Sequence, residues 1–452
     1  MYPLLNRIFR LKEEETTIKK EIIGGITTFC TMSYIVFVQP AILSIAGMDY
    51  NSVILATCIS SAIACFLMAF LANYPFALAP GMGENFLFTF TLCLGMKFTW
   101  QSSLAIVFIS GLLFVFLSLF KTREKIIEIF PDCLKNAIPA GIGLLITFVG
   151  LQWAGLIVVN QGTMVSVGNL KTAIPLVTIF SLFIILFLQN IRFTGAILVG
   201  ISFSSVAYLL LGIIPITKPE FHYSFSTFFQ LDFYSLVDRW HDAIPAILIF
   251  FFLDLFDTVG TLVGVGTTAG FIKEGKLPRA GGAFLSDALA TCIGALCGTS
   301  TVTSYVESAS GVAVGARTGL ASIITGICFF ITIPLIPFLS ILGYNAGPEY
   351  YEQIGMKGIN FSMYPTVAPA LIVIGFLMMG SVKRILWENI SEGFPAFLTI
   401  IFMAFGYGIT EGISIGCISY VVIKCLLGKH REINIWMYPI AIAFLLRYIF
   451  LK

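Results

Sequence analysis

Phe76–Phe88 reads FALAPGMGENFLF, and Gly298–Gly311 reads GTSTVTSYVESASG. Each joins an extended run, Phe76-Ala77-Leu78-Ala79 or Thr301-Val302-Thr303-Ser304-Tyr305, to a small-residue stretch. A carboxylate stands where each following helix would start: Glu84 in one, Glu307 in the other. Hydrocarbon solvates neither unpaired backbone nor bare charge. Non-helical chain at membrane depth therefore survives only where protein buries it or where it lines a cavity. Interrupted segments at corresponding places in two halves of a chain point to a transporter's substrate site.

The composition agrees with a membrane setting. Hydrophobic residues make up 58% of the 452 and charged residues 11%, too few to cover a soluble fold. Apolar runs of about 17–25 residues, the length a spanning helix needs, recur along the chain. The net charge of +2 says nothing about nucleic acid, but no basic patch is interleaved with aromatics, and no nucleic-acid partner is expected. The cysteines sit mostly singly inside apolar runs, and no CxxC or Cys/His cluster suggests a metal, so no cofactor is expected. The charged N-terminus lacks a cleavable signal pattern, so the first span is expected to direct insertion.

The fold class read from this pattern is an all-α polytopic membrane protein. Spans fall near 22–46, 51–72, 76–95, 100–120, 137–157, 171–190 and 192–213. A second set falls near 243–266, 280–297, 299–315, 317–342, 365–382, 393–409 and 411–428. The stretch 433–450 is left over, with spanning and interfacial placements both open. With the N-terminus inside, nineteen Lys and Arg fall on inner segments and five on outer ones, leaving aside Arg447 and Lys452. That is a strong positive-inside bias. Seven is odd, so the second set runs opposite to the first. The reading is therefore 14 transmembrane segments as a 7+7 inverted repeat, with segments 3 and 10 broken into a short strand plus a half-helix. The pairs Gly260/Gly264 and Gly311/Gly315 suggest close helix packing. Lys121–Cys133 and Phe225–Trp240 read as interfacial segments.

Ionisable residues within spans are functional candidates. Asp254 and Asp257 lie three apart in IFFFLDLFDTVGTLVG and share a helix face with Thr258 and Thr261. Two carboxylates so close repel, which favours keeping a proton on one of them. Asp257 is the candidate proton carrier, together with Glu307. Glu307, after Tyr305 and Val306, offers two acceptor oxygens beside the free N–H groups of a helix start, a match for a flat ligand with adjacent N–H and C=O groups. Asn85 carries both donor and acceptor, as a nucleobase edge does. Glu84 beside it is a capping or site acid. The substrate-binding candidates are thus Asn85, Glu84, Asp254, Glu307, Tyr305 and Val306, with Phe86 or Tyr305 as stacking rings. Asp287 and Glu411 rank low, lying near predicted span ends. His222, His241 and His430 fall in loops or at span edges, so a buried histidine relay is not expected.

At four motifs the chain resembles a known family. GGITTFCTMSYIVFVQPAIL, NYPFALAPGMGENFLFTFT, FLDLFDTVGTLVGVG and GTSTVTSYVESASGVAVGARTG are similar, in order, to the AzgA-like adenine/guanine/hypoxanthine permeases of the nucleobase–cation symporter 2 (xanthine-uracil permease) group. The resemblance implies a core domain (22–120 and 243–342) that rocks against a gate domain (121–213 and 343–428). A cytoplasmic N-terminus (1–21), an extracellular loop (214–242) and a C-terminal hydrophobic appendage (429–452) flank them. It implies a homodimer in the plasma (inner) membrane that imports a purine nucleobase with a proton, sodium being the alternative coupling ion. The family's third-span asparagine falls on Asn85, its eighth-span acids on Asp254 and Asp257, and its tenth-span glutamate on Glu307. Glu84 departs from the pattern, since the family usually has an apolar residue there.

The function expected is secondary active import of adenine, guanine or hypoxanthine, not an enzymatic activity. A uracil or xanthine permease is the nearest alternative. A sulfate-type anion carrier on the same fold would call for positive charge where this chain has acids. An intramembrane aspartyl protease would need its two acids on different helices, whereas Asp254 and Asp257 share one, and no GxGD sequence is present. A sensory receptor would bind without accumulating the ligand.

Overall fold

The computed structural model describes residues 2–119, 130–160, 162–213, 223–272, 277–339, 346 and 363–450. Most of the interfacial segment expected over Lys121–Cys133, together with His222, lies outside these residues. The chain opens with α1 (Tyr2–Phe9), α2 (Ile18–Met32), α3 (Ile35–Ile45) and α4 (Tyr50–Leu71). Capping residues set their starts: the Thr17 side chain accepts from the Lys20 N–H before α2, and Asp49 accepts from Ser52 before α4.

After α4 the chain becomes extended as β1 (Leu78–Pro80), turns into the short helix α5 (Met82–Phe86) and continues as a π-helix over Leu87–Gly95. Next come α6 (Trp100–Leu119), α7 (Asp132–Trp153), a hairpin of β2 (Ile157–Asn160) and β3 (Met164–Val167), α8 (Ala173–Asn190) and α9 (Ala196–Leu210). The hairpin fills the stretch between the spans read at 137–157 and 171–190, to which the sequence pattern assigned no element.

The second half begins with the small helix α10 (Tyr234–Asp238), then α11 (Trp240–Thr268) and α12 (Ala280–Cys297). The strand β4 (Val302–Ser304) leads to α13 (Ser308–Ala313), followed by α14 (Gly319–Thr332) and α15 (Ile336–Leu339). The chain closes with α16 (Ala368–Met378), α17 (Ile390–Phe405), α18 (Ile409–Leu426) and α19 (Met437–Phe450). Among the described residues, eight stretches are long and apolar enough to cross a membrane.

The helices pack in two groups. In one, α4 lies against α12 and α14, α12 against α6, and α14 against α2. In the other, α7 lies against α16 and α17, α17 against α18, and α16 against both α8 and α9. Close approach needs small residues. A Cβ on Gly311 would fall 2.2 Å from Thr28 Oγ1 and 2.6 Å from the Gly24 carbonyl, so α13 touches α2 through bare backbone. Gly260 and Gly264 do not act this way, since a Cβ on either would meet nothing within 4 Å.

Glu21 ties the first group together. Fully buried, its carboxylate accepts from the Arg317 N–H (2.8 Å), the Thr318 N–H (3.3 Å), the Ala321 N–H (3.2 Å) and the Thr16 hydroxyl (2.9 Å). It thereby satisfies the orphan donors at the start of α14, where an acid also complements the helix dipole. Glu21→Ala would strand these N–H groups and is expected to cost about 2–3 kcal/mol, read as a lower melting temperature of the purified protein.

Asp232, in the segment before α10, accepts from the Ser235 hydroxyl, the Ser235 N–H and the Ser102 hydroxyl, anchoring this segment to α6. These bonds, the Ser235 hydroxyl first, hold its carboxyl below the usual aspartate range. A depressed folded value means that the stabilisation is complete above the unfolded value of about 3.9 and is lost as pH falls through the folded one. Wild type and Asp232→Asn should therefore melt apart near neutral pH and converge in acid.

Candidate functional site

The site grows from the crossing of β1 and β4. The two strands pair antiparallel, Leu78 opposite Ser304, Ala79 opposite Thr303 and Pro80 opposite Val302, and all of these residues are buried. Further bonds extend the crossing: Gly81 N–H to the Thr301 carbonyl (3.0 Å), Tyr305 N–H to the Ala77 carbonyl (2.9 Å), and Ala77 N–H to Ser308 Oγ (3.0 Å). The Tyr305 hydroxyl donates to the Pro80 carbonyl at 2.5 Å. Backbone that no helix could satisfy is thus paired across the two segments, as buried polar groups require. Helices α5 and α13 start directly beyond the crossing.

Glu307 stands at the N-cap position of α13 and accepts from the Tyr34 hydroxyl at 2.6 Å, from the interruption between α2 and α3. Glu84 is buried in the first turn of α5. Its carboxylate lies so close to Gly81 that a Cβ there would fall 2.2 Å from Oε2, while Oε1 has no hydrogen-bond partner. A glycine at position 81 leaves room for this carboxylate and for the Thr303 methyl, 2.9 Å from the same point.

Asn85 is fully buried, and its side-chain carbonyl accepts from the Ser300 hydroxyl. Gln39 donates to Thr299 Oγ1 at 2.6 Å and reaches Ser300 Oγ at 3.4 Å. The amide of Asn85 thus belongs to a polar network joining α3, α5 and the segment before β4.

Helix α11 supplies Asp254 and Asp257. Asp254 is buried and accepts from the Thr291 hydroxyl of α12 at 2.8 Å, while its Oδ1 has no partner. Asp257 contacts the Thr303 hydroxyl of β4. Asp287, ranked low from the sequence, belongs to the same cluster. It is fully buried and accepts from Thr258 Oγ1 at 2.5 Å and Ser304 Oγ at 2.7 Å. The structure thus gathers Glu84, Asp254, Asp257, Asp287 and Glu307 around one strand crossing. None of the ion pairs among the described residues includes any of the five.

Other candidates stand differently. The Val306 side chain is 58% exposed, so it is not enclosed with the carboxylates. The Phe86 ring stacks on Phe90 at 5.4 Å, which occupies one of its faces. Glu411, in the first turn of α18, bonds the Tyr448 hydroxyl of α19, away from the crossing. The described histidines, His241 and His430, are exposed. Sequence reasoning missed Tyr34, Gln39 and Asp287. Asp287 carried the same signal as Asp254, a charge inside an apolar run. It is the eighth residue of α12, well inside the helix.

A model of the permease family matches residues 19–344. The chain belongs to the permease family. The permease is 42% identical to the guanine/hypoxanthine permease PbuG of Bacillus subtilis, over 99% of this chain and all of that one. It is 37% identical to the adenine permease AdeP of Escherichia coli, over 99% of this chain and 96% of that one. The transmembrane domain of the cyanobacterial bicarbonate transporter BicA shares its fold, with a TM-score of 0.66 at 14% identity, over 87% of this chain and 97% of that one. The permease is therefore a multi-pass membrane protein of the nucleobase–cation symporter 2 group, a transporter and not an enzyme.

The hydroxyls around Asp287 carry a stability prediction. Thr258→Val or Ser304→Ala removes one donor from a buried carboxyl, and each is expected to cost about 1–3 kcal/mol in thermal denaturation of the detergent-purified protein.

Proposed function

We propose that this permease imports a purine nucleobase, adenine, guanine or hypoxanthine, by proton symport. The observation that carries the reading is the meeting of two helix starts, α5 and α13, on one strand crossing beside the carboxylates of α11. The positive ends of the two helices face the site, the acids supply acceptors, and the Asn85 amide supplies both a donor and an acceptor. A purine edge alternates donors and acceptors and matches that array. The names of the relatives, guanine/hypoxanthine permease and adenine permease, point the same way.

Glu307 and Asp254 accept from the base, with Asn85 and Glu84 completing the polar wall. Tyr305 and the exposed Val306 border it through the backbone. Asp257 carries or relays the proton, with Glu307 as its partner. Five carboxylates in one low-dielectric site cannot all be charged, so proton uptake and substrate binding are linked. An anion cargo fits this site poorly, because its charged groups already bear the anion's sign.

The architecture we infer is fourteen segments in two inverted sevens, the third and tenth broken at β1/α5 and β4/α13. The strand pairing and the half-helix starts support it. Residues 22–120 and 243–342 form the moving core, and 121–213 and 343–428 the gate. The N-terminus lies in the cytoplasm, the protein sits in the plasma membrane, and two copies form a dimer.

Uptake of radiolabelled hypoxanthine or adenine into cells lacking purine importers tests the reading. Glu307→Gln and Asp254→Asn are each expected to lower uptake at least about tenfold, because a site built for hydrogen bonding loses its partner. Unchanged uptake in both would sink the assigned roles. Competition among the purine bases at two pH values, with and without sodium, separates proton from sodium coupling.

A further inference from the structure

Helix α19 runs antiparallel to α18. Near its end the Tyr448 hydroxyl bonds Glu411, in the first turn of α18, and near its start Tyr438 lies 3.9 Å from Cys425, in the last turn. The two helices therefore keep company along their whole length. Beside them, between α7, α11, α18 and α19, is a cavity of about 160 Å³. From α11 it takes Ile244, Leu248 and Phe252, four residues apart and so on one helix face. From α19 it takes Ile440 and Phe444, and Phe130 closes it near the start of α7, its ring 5.1 Å from that of Phe252. Every lining side chain is aliphatic, aromatic or proline.

A cavity with such walls offers water no partners and stays dry. Its mouth is open: Ile244 is 50% and Leu248 44% exposed. In a multi-pass membrane protein such an opening meets lipid tails. The mouth at Ile244 and Leu248 thus opens toward the bilayer, whose abundant apolar species is the acyl chain.

We propose that this cavity seats one acyl chain of a membrane phospholipid. The seat uses the reverse side of α11, the helix whose other face carries Asp254 and Thr258. An occupant touches α11 on one side and α7, α18 and α19 on the other, so it wedges between the two packing groups. Helix α19 turns what would be an open groove into an enclosed slot.

The test uses the full-length permease in vesicles of phosphatidylethanolamine and phosphatidylglycerol, doped with a phospholipid bearing a diazirine on its acyl chain. After photolysis, labelled peptides are mapped by mass spectrometry. Label on the peptides holding Leu248–Phe252 and Ile440–Phe444 is expected to exceed label on the exposed face of α8, around Phe180, Phe183 and Phe187. Ala443→Trp fills the slot and should lower labelling there about tenfold, the effect of losing roughly two buried methylene contacts. Labelling of α8 should not change. Leu248→Trp serves if the first variant does not fold. Equal labelling of α8 and the slot, or undiminished labelling in the folded variant, overturns the proposal. So does efficient disulfide dimerisation of Ile244→Cys, at the mouth, which would give the site to a second copy of the chain.

Discussion

The fold turns on one short piece of antiparallel pairing, Leu78–Pro80 against Val302–Ser304. Two segments leave the helical conformation at the same place, and each would bury unsatisfied N–H and C=O groups if the other were absent. The loss of one buried backbone partner costs about 1–3 kcal/mol, so neither strand is stable alone. The chain has solved this by bringing residues more than two hundred positions apart into register. The side-chain bonds from Tyr305 to the Pro80 carbonyl and from Ser308 to the Ala77 N–H lock the same crossing from outside the strands.

The pairing also explains where the acids sit. Ending a helix at the centre of a protein frees N–H donors, and Glu84 and Glu307 lie at the two new starts. The strand then presents Thr303 and Ser304 to the neighbouring helices, and these hydroxyls contact Asp257 and Asp287. Thr258 and Thr291 complete the pattern from α11 and α12. Neutral hydroxyl donors, not cations, hold these carboxyls. A hydroxyl can turn to accept as well as donate, so it tolerates either protonation state of its partner. A lysine or arginine would favour only the charged one.

Much of this was legible in the sequence because it was written in violations. Pro80, Gly81 and Gly83 with Glu84 in an apolar segment, and Thr299–Ser304 with Glu307 in another, contradict helix and membrane chemistry at once. The starts of most long helices were readable to within a few residues from the apolar runs alone. What was not legible depended on contact. Nothing in SYIVFV marks Tyr34 as the partner of Glu307, because its run is apolar enough to be ordinary helix. Asp287 carried a legible signal, a charge inside an apolar run, but which hydroxyls hold it, Thr258 and Ser304, shows only in the packing. Gly260 and Gly264 show the opposite failure, a spacing that fits close packing although an added Cβ at either would meet nothing within 4 Å. Val306 followed its neighbours in sequence, while its side chain turns outward.

The distribution of bond types bears on how such a molecule can move. The polar contacts of the site join α2 to α5 and α11 to α14 with one another: Tyr34 to Glu307, Gln39 to Thr299, Asn85 to Ser300, Thr258 to Asp287. Where these helices meet the other packing group, the contacts are largely apolar. Gly83 faces Ile142 of α7, and the Phe90 ring lies 5.8 Å from Tyr407. The hydrogen bond from Ser44 to Tyr364 is an exception at the far end of α3. Hydrogen bonds are directional and fix a register, whereas apolar contacts lose little when surfaces slide. A displacement between the groups would therefore keep the polar cluster intact and trade one set of apolar contacts for another. The glycine at position 83 matters here for a physical reason. An added Cβ would fall 3.0 Å from the Ile142 side chain, so the packing of α5 on α7 is close at this point.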